Sequence, residues 1–150
     1  MAGLWFEDFA EGMVFDHALR RSVTEADNMW FCNATLNTQP LHIDFDFAAG
    51  TEFGRPLVNS IFTLGLMIGI SVSETTQGTT LGNLGMTDVA FPHPVFHGDT
   101  ISARTTVEAL RESRSRPENG LVTFLHEAFN QDGTRVATCR RTALMRKRPA

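Results

Sequence analysis

Residues 58–73 read VNSIFTLGLMIGISVS, and nearly every position is apolar or small. With no polar face to meet water, the segment predicts a helix buried on all sides, although its Ile and Val content leaves a strand as the competing reading. It is too short to span a bilayer. Gly65 and Gly69 would let another backbone approach closely, at about 1 kcal/mol each in helix propensity. Such a helix needs a sheet to cover it, and the chain downstream supplies one. After a polar linker at 74–82, apolar and polar residues alternate over about 84–91, 101–111, 122–130 and 134–145. The breaks carry turn chemistry: His97-Gly98-Asp99, Pro117-Glu118-Asn119-Gly120 and Gln131-Asp132-Gly133, the last of hairpin type.

Upstream of the helix, residues 4–12 end in Gly12 and lead into an alternating segment, 14–23, that reads as a first strand. Thr24-Glu25-Ala26-Asp27 has the spacing of a capping box and opens a short helix that carries Met29, Trp30 and Phe31 and ends near Thr35. A loop at 36–41 follows. Pro40 disfavours helical geometry at Gln39, so a stiffened turn presents His42, and Asp44 caps a second short helix reaching Ala49. The order is that of an α+β fold: one antiparallel sheet wrapped around one long buried helix, in a single domain spanning 1–150.

The chain of 150 residues, 42% apolar with a net charge of -4, has the make-up of an ordinary globular domain with no basic excess to drive nucleic-acid binding. Arg140, Arg141, Arg146, Lys147 and Arg148 crowd the C-terminal end and read as a solvated strand end. Cys32 and Cys139 lack the spacing of a zinc knuckle or a disulfide framework and read as small apolar fillers, reduced in a cytoplasmic setting. The N-terminus has neither the basic flank nor the apolar centre of a signal peptide. There is no tyrosine, which removes a phenolic acid or base. Neither a metal nor a redox cofactor is implied, since no ligand cluster has metal spacing and no Gly-rich phosphate loop follows a strand.

The densest polar cluster, Asn33, Thr35, Asn37, Thr38, Gln39, His42, Asp44 and Asp46, lies between two helix signals just before the long helix. Taken alone it has two readings: turn formers around a hydrogen-bonded loop histidine, or a site carried on a loop. The string Thr38-Gln39-Pro40-Leu41-His42-Ile43-Asp44, followed by Phe47-Ala48-Ala49, resembles the hydratase motif of the MaoC-like, (R)-specific enoyl-CoA hydratase family, which has a hot-dog fold. Three more matches keep the family's order: Phe6-Glu7-Asp8-Phe9 with Gly12, Gly54-Arg55-Pro56-Leu57-Val58 before the long helix, and Pro94-Val95 with Gly98-Asp99-Thr100. Together they cover nearly the whole chain. The family usually reads Gly-Asp-x-Asn-Pro-x-His before the helix and His-Gly at its start. Here Leu36-Asn37 stands in place of Gly-Asp, and Asn59-Ser60 in place of His-Gly. These departures, with Glu112-Ser113-Arg114-Ser115-Arg116-Pro117, resemble the branch acting on branched dicarboxylic C5 thioesters, the mesaconyl-CoA and itaconyl-CoA hydratases.

The resemblance implies reversible addition of water to an enoyl-CoA thioester, with CoA as part of the substrate and no further cofactor. Hydration needs a base for water, a proton for the α-carbon and donors for the enolate oxygen. His42 is the expected base and then acid, since an imidazole ordinarily titrates near 6.5 and an amide never does. Asn37 then positions water. The backbone N–H of Ser60 is the expected oxyanion donor, and losing one such donor typically costs about 2.7–4 kcal/mol in the barrier. Gln39 and Asn59 are expected beside the substrate. Arg55 is the expected cation for a free carboxylate, and Arg114 and Arg116 for CoA phosphates, against the plain reading of the last two as a solvated strand end. His17, His93, His97 and His126 read as surface or hairpin residues. The family implies at least a homodimer with sites between subunits, and no membrane partner. Two alternatives stand beside the hydratase: a hot-dog thioesterase, against which the placement of His42 before the helix speaks, and a non-catalytic acyl-CoA-binding subunit, for which the missing aspartate speaks.

Overall fold

The computed structural model describes residues 3–149. A 3-10 turn at Phe6–Asp8 leads to strands β1 (Val14–Asp16) and β2 (Arg21–Ser22), helices α1 (Glu25–Ala34), α2 (Pro40–Ile43), α3 (Phe45–Ala49) and α4 (Ser60–Thr75), then β3 (Thr80–Ala90), β4 (Thr100–Glu112), β5 (Asn119–Phe129) and β6 (Arg135–Arg146). The strands form one antiparallel sheet ordered β1-β4-β5-β6-β3, with β2 also on β4. α4 packs on one face of it, which is the hot-dog arrangement.

The local signals act as expected. Thr24 Oγ1 accepts the Asp27 N–H at 3.2 Å while the Asp27 carboxylate accepts the Thr24 N–H at 2.8 Å, a reciprocal box that starts α1. Asp44 caps α3 by accepting the Phe47 N–H at 3.0 Å. The first strand is interrupted rather than continuous. Asp16 pairs with Arg104 and Arg21 with Ile101, so residues 17–20 face only Ser102 and Ala103, and the bulge turns His17 into the core. The third strand starts at Thr80, earlier than the alternation suggests, because α4 runs on to Thr75 and leaves only a short turn.

α4 is buried on one side, not on all sides. Met67 and Ile70 are buried against Ile101, Ala103, Ala128, Ala137 and Cys139, each large side chain contributing roughly 1.5–3 kcal/mol. Ile61, by contrast, is 57% exposed, and Gly65 and Gly69 border open space where a Cβ would stand. The sheet covers one helix face only. β3, at the sheet edge, leaves Leu81, Leu84 and Val89 exposed as well. A second apolar cluster, with Phe9, Val107, Phe124 and Met145, sits towards the other end of the sheet under the N-terminal segment. There Phe6 crosses Gly120 so closely that a Cβ would stand 2.2 Å from its ring.

Between the two clusters runs a row of buried polar groups. Arg141 Nε donates to His126 Nε2 at 3.1 Å, His126 Nδ1 meets Thr105 Oγ1 at 2.9 Å, Thr105 Oγ1 meets His17 Nε2 at 2.8 Å, and His17 Nδ1 meets the Glu74 carboxylate on α4. A guanidinium only donates, so His126 Nε2 accepts and its Nδ1–H donates to Thr105 Oγ1, while at the far end the Glu74 carboxylate accepts from His17 Nδ1. His17 and His126 are thus core residues rather than surface or hairpin ones. Burial, then Arg141 and His17, push the His126 pKa down to about 3. Arg141 is likewise buried, and Arg140 binds Glu108 and Asp88, each at 2.7 Å. Lys147 pairs with Glu112, and Arg148 with Asp8 at 2.5 Å, so the C-terminal cations are largely committed within the fold rather than solvated.

α1 ends on Leu36 with φ +55°, followed by the Asn37 N–H bound to the Cys32 carbonyl at 2.9 Å and the Leu36 N–H to that of Asn33 at 3.2 Å. This is a Schellman ending with leucine where glycine is the usual residue. Two predictions follow from these features. The unfolded chain protonates His126 below about pH 6.5 and the folded chain only near pH 3, so its neutral burial supports the fold fully above pH 6.5. That support, of the order of 5 kcal/mol, is lost as pH falls towards 3. Chemical denaturation at stepped pH will show this slope, and His126→Gln will flatten it. Leu36→Gly relieves the left-handed backbone and raises stability by about 0.5–1 kcal/mol in thermal unfolding, whereas Leu36→Ala, which keeps the Cβ, does not.

Candidate active site

The polar turn between α1 and α4 is held by its own side chains. The Asn37 Oδ1 accepts the Gln39 N–H at 3.0 Å, and Gln39 adopts the extended backbone that Pro40 demands. Pro40 opens α2, and that single turn carries His42. Asn37 is therefore committed to bracing the turn with the oxygen that was expected to receive water. Gln39 is exposed at the start of α2, its carbonyl accepting the His42 N–H at 3.0 Å.

His42 is half-buried, and its ring is oriented by the segment leading to α4. His42 Nδ1 lies 2.9 Å from the Leu57 carbonyl oxygen. A carbonyl only accepts, so Nδ1 carries a proton, and in the neutral ring Nε2 holds the free lone pair. The Leu57 N–H in turn donates to the Leu41 carbonyl at 3.1 Å, so α2 and the approach to α4 are tied in both directions. Two residues after Leu57 the helix is capped: Asn59 Oδ1 accepts the Ile61 N–H at 3.0 Å. That leaves the Ser60 N–H, at the positive end of a helix of 16 residues, without an acceptor among the described residues.

Ser60 borders a cavity of about 220 Å³ whose wall includes Leu57, Thr63, Phe91, His93 and Val136. The Thr63 hydroxyl is buried there without a hydrogen-bond partner among the described residues. Leu57 joins the two halves of the arrangement, since its carbonyl holds the imidazole and the residue lines the cavity. An unprotonated imidazole nitrogen, a free N–H at a helix start and a small, mostly apolar chamber are a base, an anion donor and a place for a short acyl group.

The other expected residues divide. Asn59 is only 4% exposed, and its side chain spends its oxygen on the cap and its amide on Cys32 Sγ at 3.7 Å, so it supports the helix start instead of meeting substrate. Arg55 stacks over the Phe96 ring, 3.8 Å from its centroid, in a neighbouring pocket of about 410 Å³ with Glu25, Phe45 and His97. Arg114 and Arg116 are not brought near His42 within one chain. They line a separate cavity of about 630 Å³ with Arg111, Leu81 and Leu84 at the β4–β5 turn, about 40 Å along β4 from Thr100. His93 belongs to the chamber wall, and His97 is also structural: burial and Arg55 depress its pKa against the pull of Glu25, and its Nε2 lies 3.1 Å from Asn28 Nδ2.

Asn28 was missed altogether. It is fully buried in α1 and bonds to the segments carrying both His42 and Ser60. The available signal was a polar residue one helical turn before Cys32, but Met29, Trp30 and Phe31 drew the apolar face elsewhere. Among the described residues no helix is long and apolar enough to cross a membrane, and no group of three or more His, Cys, Asp or Glu is placed to hold a metal ion.

Comparison with known proteins agrees with this geometry. A mesaconyl-CoA hydratase of Haloarcula marismortui is 31% identical over 99% of this chain, which matches 42% of that protein. The chain thus spans about two fifths of the length of such relatives. An (R)-specific enoyl-CoA hydratase of Aeromonas caviae is 34% identical over 72% of this chain and 75% of its own length. The crystal structure of a MaoC-like dehydratase from Rhodospirillum rubrum superposes with a TM-score of 0.84 at 29% identity, covering 99% of this chain and 100% of that one. Residues 8–128 match the family described as MaoC like domain. That match spans the His42 turn, the long helix and most of the sheet, and the chain belongs to the MaoC-like family.

Proposed function

We propose that this chain is a hydro-lyase that adds water reversibly to the double bond of an enoyl-CoA thioester. The observation that carries the reading is the Leu57 carbonyl on His42 Nδ1, which ties the ring to the segment leading into α4 and leaves Nε2 of the neutral ring to act as base. In the hydration direction Nε2 takes a proton from water as its oxygen bonds to the β-carbon. The double-bond electrons move into the thioester, and the resulting enolate oxygen accepts the Ser60 N–H, aided by the helix dipole. The imidazolium then gives its Nε2 proton to the α-carbon, the carbonyl re-forms, and the base is restored. Asn37 contributes by holding the turn, with its remaining lone pair available to the water.

A branched dicarboxylyl-CoA such as mesaconyl-CoA or itaconyl-CoA suits the site. The chamber of about 220 Å³ favours a short acyl group, and relatives matched over nearly the whole chain are named mesaconyl-CoA hydratase. Arg55, packed on Phe96 and exposed, offers a guanidinium to the free carboxylate. A homodimer explains two features of the chain: the unpaired edge of β3 with exposed Leu81, Leu84 and Val89, and the exposed face of α4 with Ile61, Gly65 and Gly69. Antiparallel pairing of β3 with its copy would set the Ala90 end of one strand beside the Thr80 end of the other. Arg114 and Arg116 of a second copy would then approach this chain's site and its CoA phosphates. Two buried, unpaired thiols, Cys32 and Cys139, fit a reducing cytoplasmic setting.

Loss of enoyl-thioester absorbance with mesaconyl-CoA, itaconyl-CoA and crotonyl-CoA tests the proposal. The expected result is turnover, fastest with a dicarboxylyl-CoA, and a fall of about 10²–10⁴-fold in His42→Ala. Preference for crotonyl-CoA overturns the dicarboxylyl assignment alone. Binding of all three without turnover favours the non-catalytic acyl-CoA-binding subunit, to which the amide at Asn37 also points.

A further inference from the structure

Asn28 has no exposed surface, and its side-chain contacts beyond α1 all go to the elements that frame the site. Its Nδ2 donates to the Leu57 carbonyl at 2.9 Å and to the His42 carbonyl at 3.2 Å, and meets His97 Nε2 at 3.1 Å. Its Oδ1 accepts the Asn59 N–H at 2.9 Å and, more weakly, the Cys32 thiol at 3.7 Å. One amide therefore binds the carbonyl that orients the imidazole, the backbone of the imidazole residue itself, and the residue that caps the helix offering the Ser60 N–H.

We infer that Asn28 is a positioning residue that sets the His42 base in register with the Ser60 N–H. The inference rests on the hydration reading above. The hydrogen-bond count makes it specific. The Leu57 carbonyl has two lone pairs, one for His42 Nδ1–H and one for the Asn28 amide, so both side chains are anchored on one oxygen. The amide has two N–H groups for three acceptors, so one is shared and His97 Nε2 must be unprotonated. On the other side, Oδ1 grips the Asn59 N–H while Asn59 Oδ1 caps Ile61, which fixes the first turn of α4 against α1. Only a planar group with donors on one side and an acceptor on the other meets these demands. Isosteric aspartate keeps the acceptor for Asn59 but turns both donors into an acceptor facing carbonyl oxygens.

Asn28→Asp therefore separates positioning from packing. The expected result is a fall in kcat of at least tenfold with KM within about twofold, because the base is misplaced while the acyl chamber is intact. In the resting protein, imidazole 15N shifts of His42, assigned with His42→Gln, are expected to change from a single Nδ1–H form to a mixture of tautomers. Wild-type kcat together with an unchanged Nδ1–H signal would overturn the inference. Asn28→Ser, which removes the amide without adding charge, gives the same two readouts if the aspartate variant does not fold. Should wild type turn over no enoyl thioester, the hydration reading fails. The 15N spectrum still decides whether Asn28 holds the imidazole.

Discussion

The carbonyl oxygen of Leu57 accepts hydrogen bonds from the His42 imidazole and the Asn28 amide, each at 2.9 Å. Much of the site follows from this shared acceptor. It selects the imidazole tautomer, since a carbonyl can only be approached by an N–H, and it does so from the backbone of the segment leading into α4. The carbonyl that orients His42 and the start of α4 are therefore parts of one short stretch, braced from behind by a side chain of α1. Shared hydrogen bonds of this kind are strong in a buried setting, and costly if either partner is lost.

That precision requires α4 itself to be immobile. Met67 and Ile70 seat the helix on the sheet, and near its C-terminal end Glu74 closes the buried row that begins at Arg141. The row crosses the sheet between two apolar clusters and prescribes where each polar group must lie. A core of hydrocarbon alone would hold the helix nearly as firmly but would tolerate sliding. The opposite face of α4 and the free edge of β3 remain apolar and uncovered, as suits a second copy of the chain.

The hot-dog order was legible because its signals are periodic and local: alternation in β3 to β6, the Thr24 and Asp44 caps, and the glycine turns. His42 and Ser60 stood out by motif and place in the chain, and the structure sets them on α2 and at the start of α4. What escaped depends on tertiary contacts. α4 looked buried on every side because its exposed face is as apolar as its buried one, and composition cannot tell a sheet from a partner molecule. His17, His126 and Arg141 looked like surface groups because polarity predicts exposure unless partners are known, and those partners stand on different strands and on α4. In α1 the ordinary rule inverts: Trp30 is 70% exposed and Asn28 is fully buried. Asn59 and Asn37 lie in the segments expected of them, but one caps a helix and the other closes a turn.

The central claim is that the chamber beside Ser60 holds the reacting acyl group under the His42 base. A crystal structure of the His42→Ala chain with bound mesaconyl-CoA would test it most directly. The thioester oxygen is expected within about 3 Å of the Ser60 nitrogen, with the double bond facing the space left by the imidazole. An acyl group seated in the Arg55 pocket, or a thioester oxygen bound by any other donor, would contradict the account.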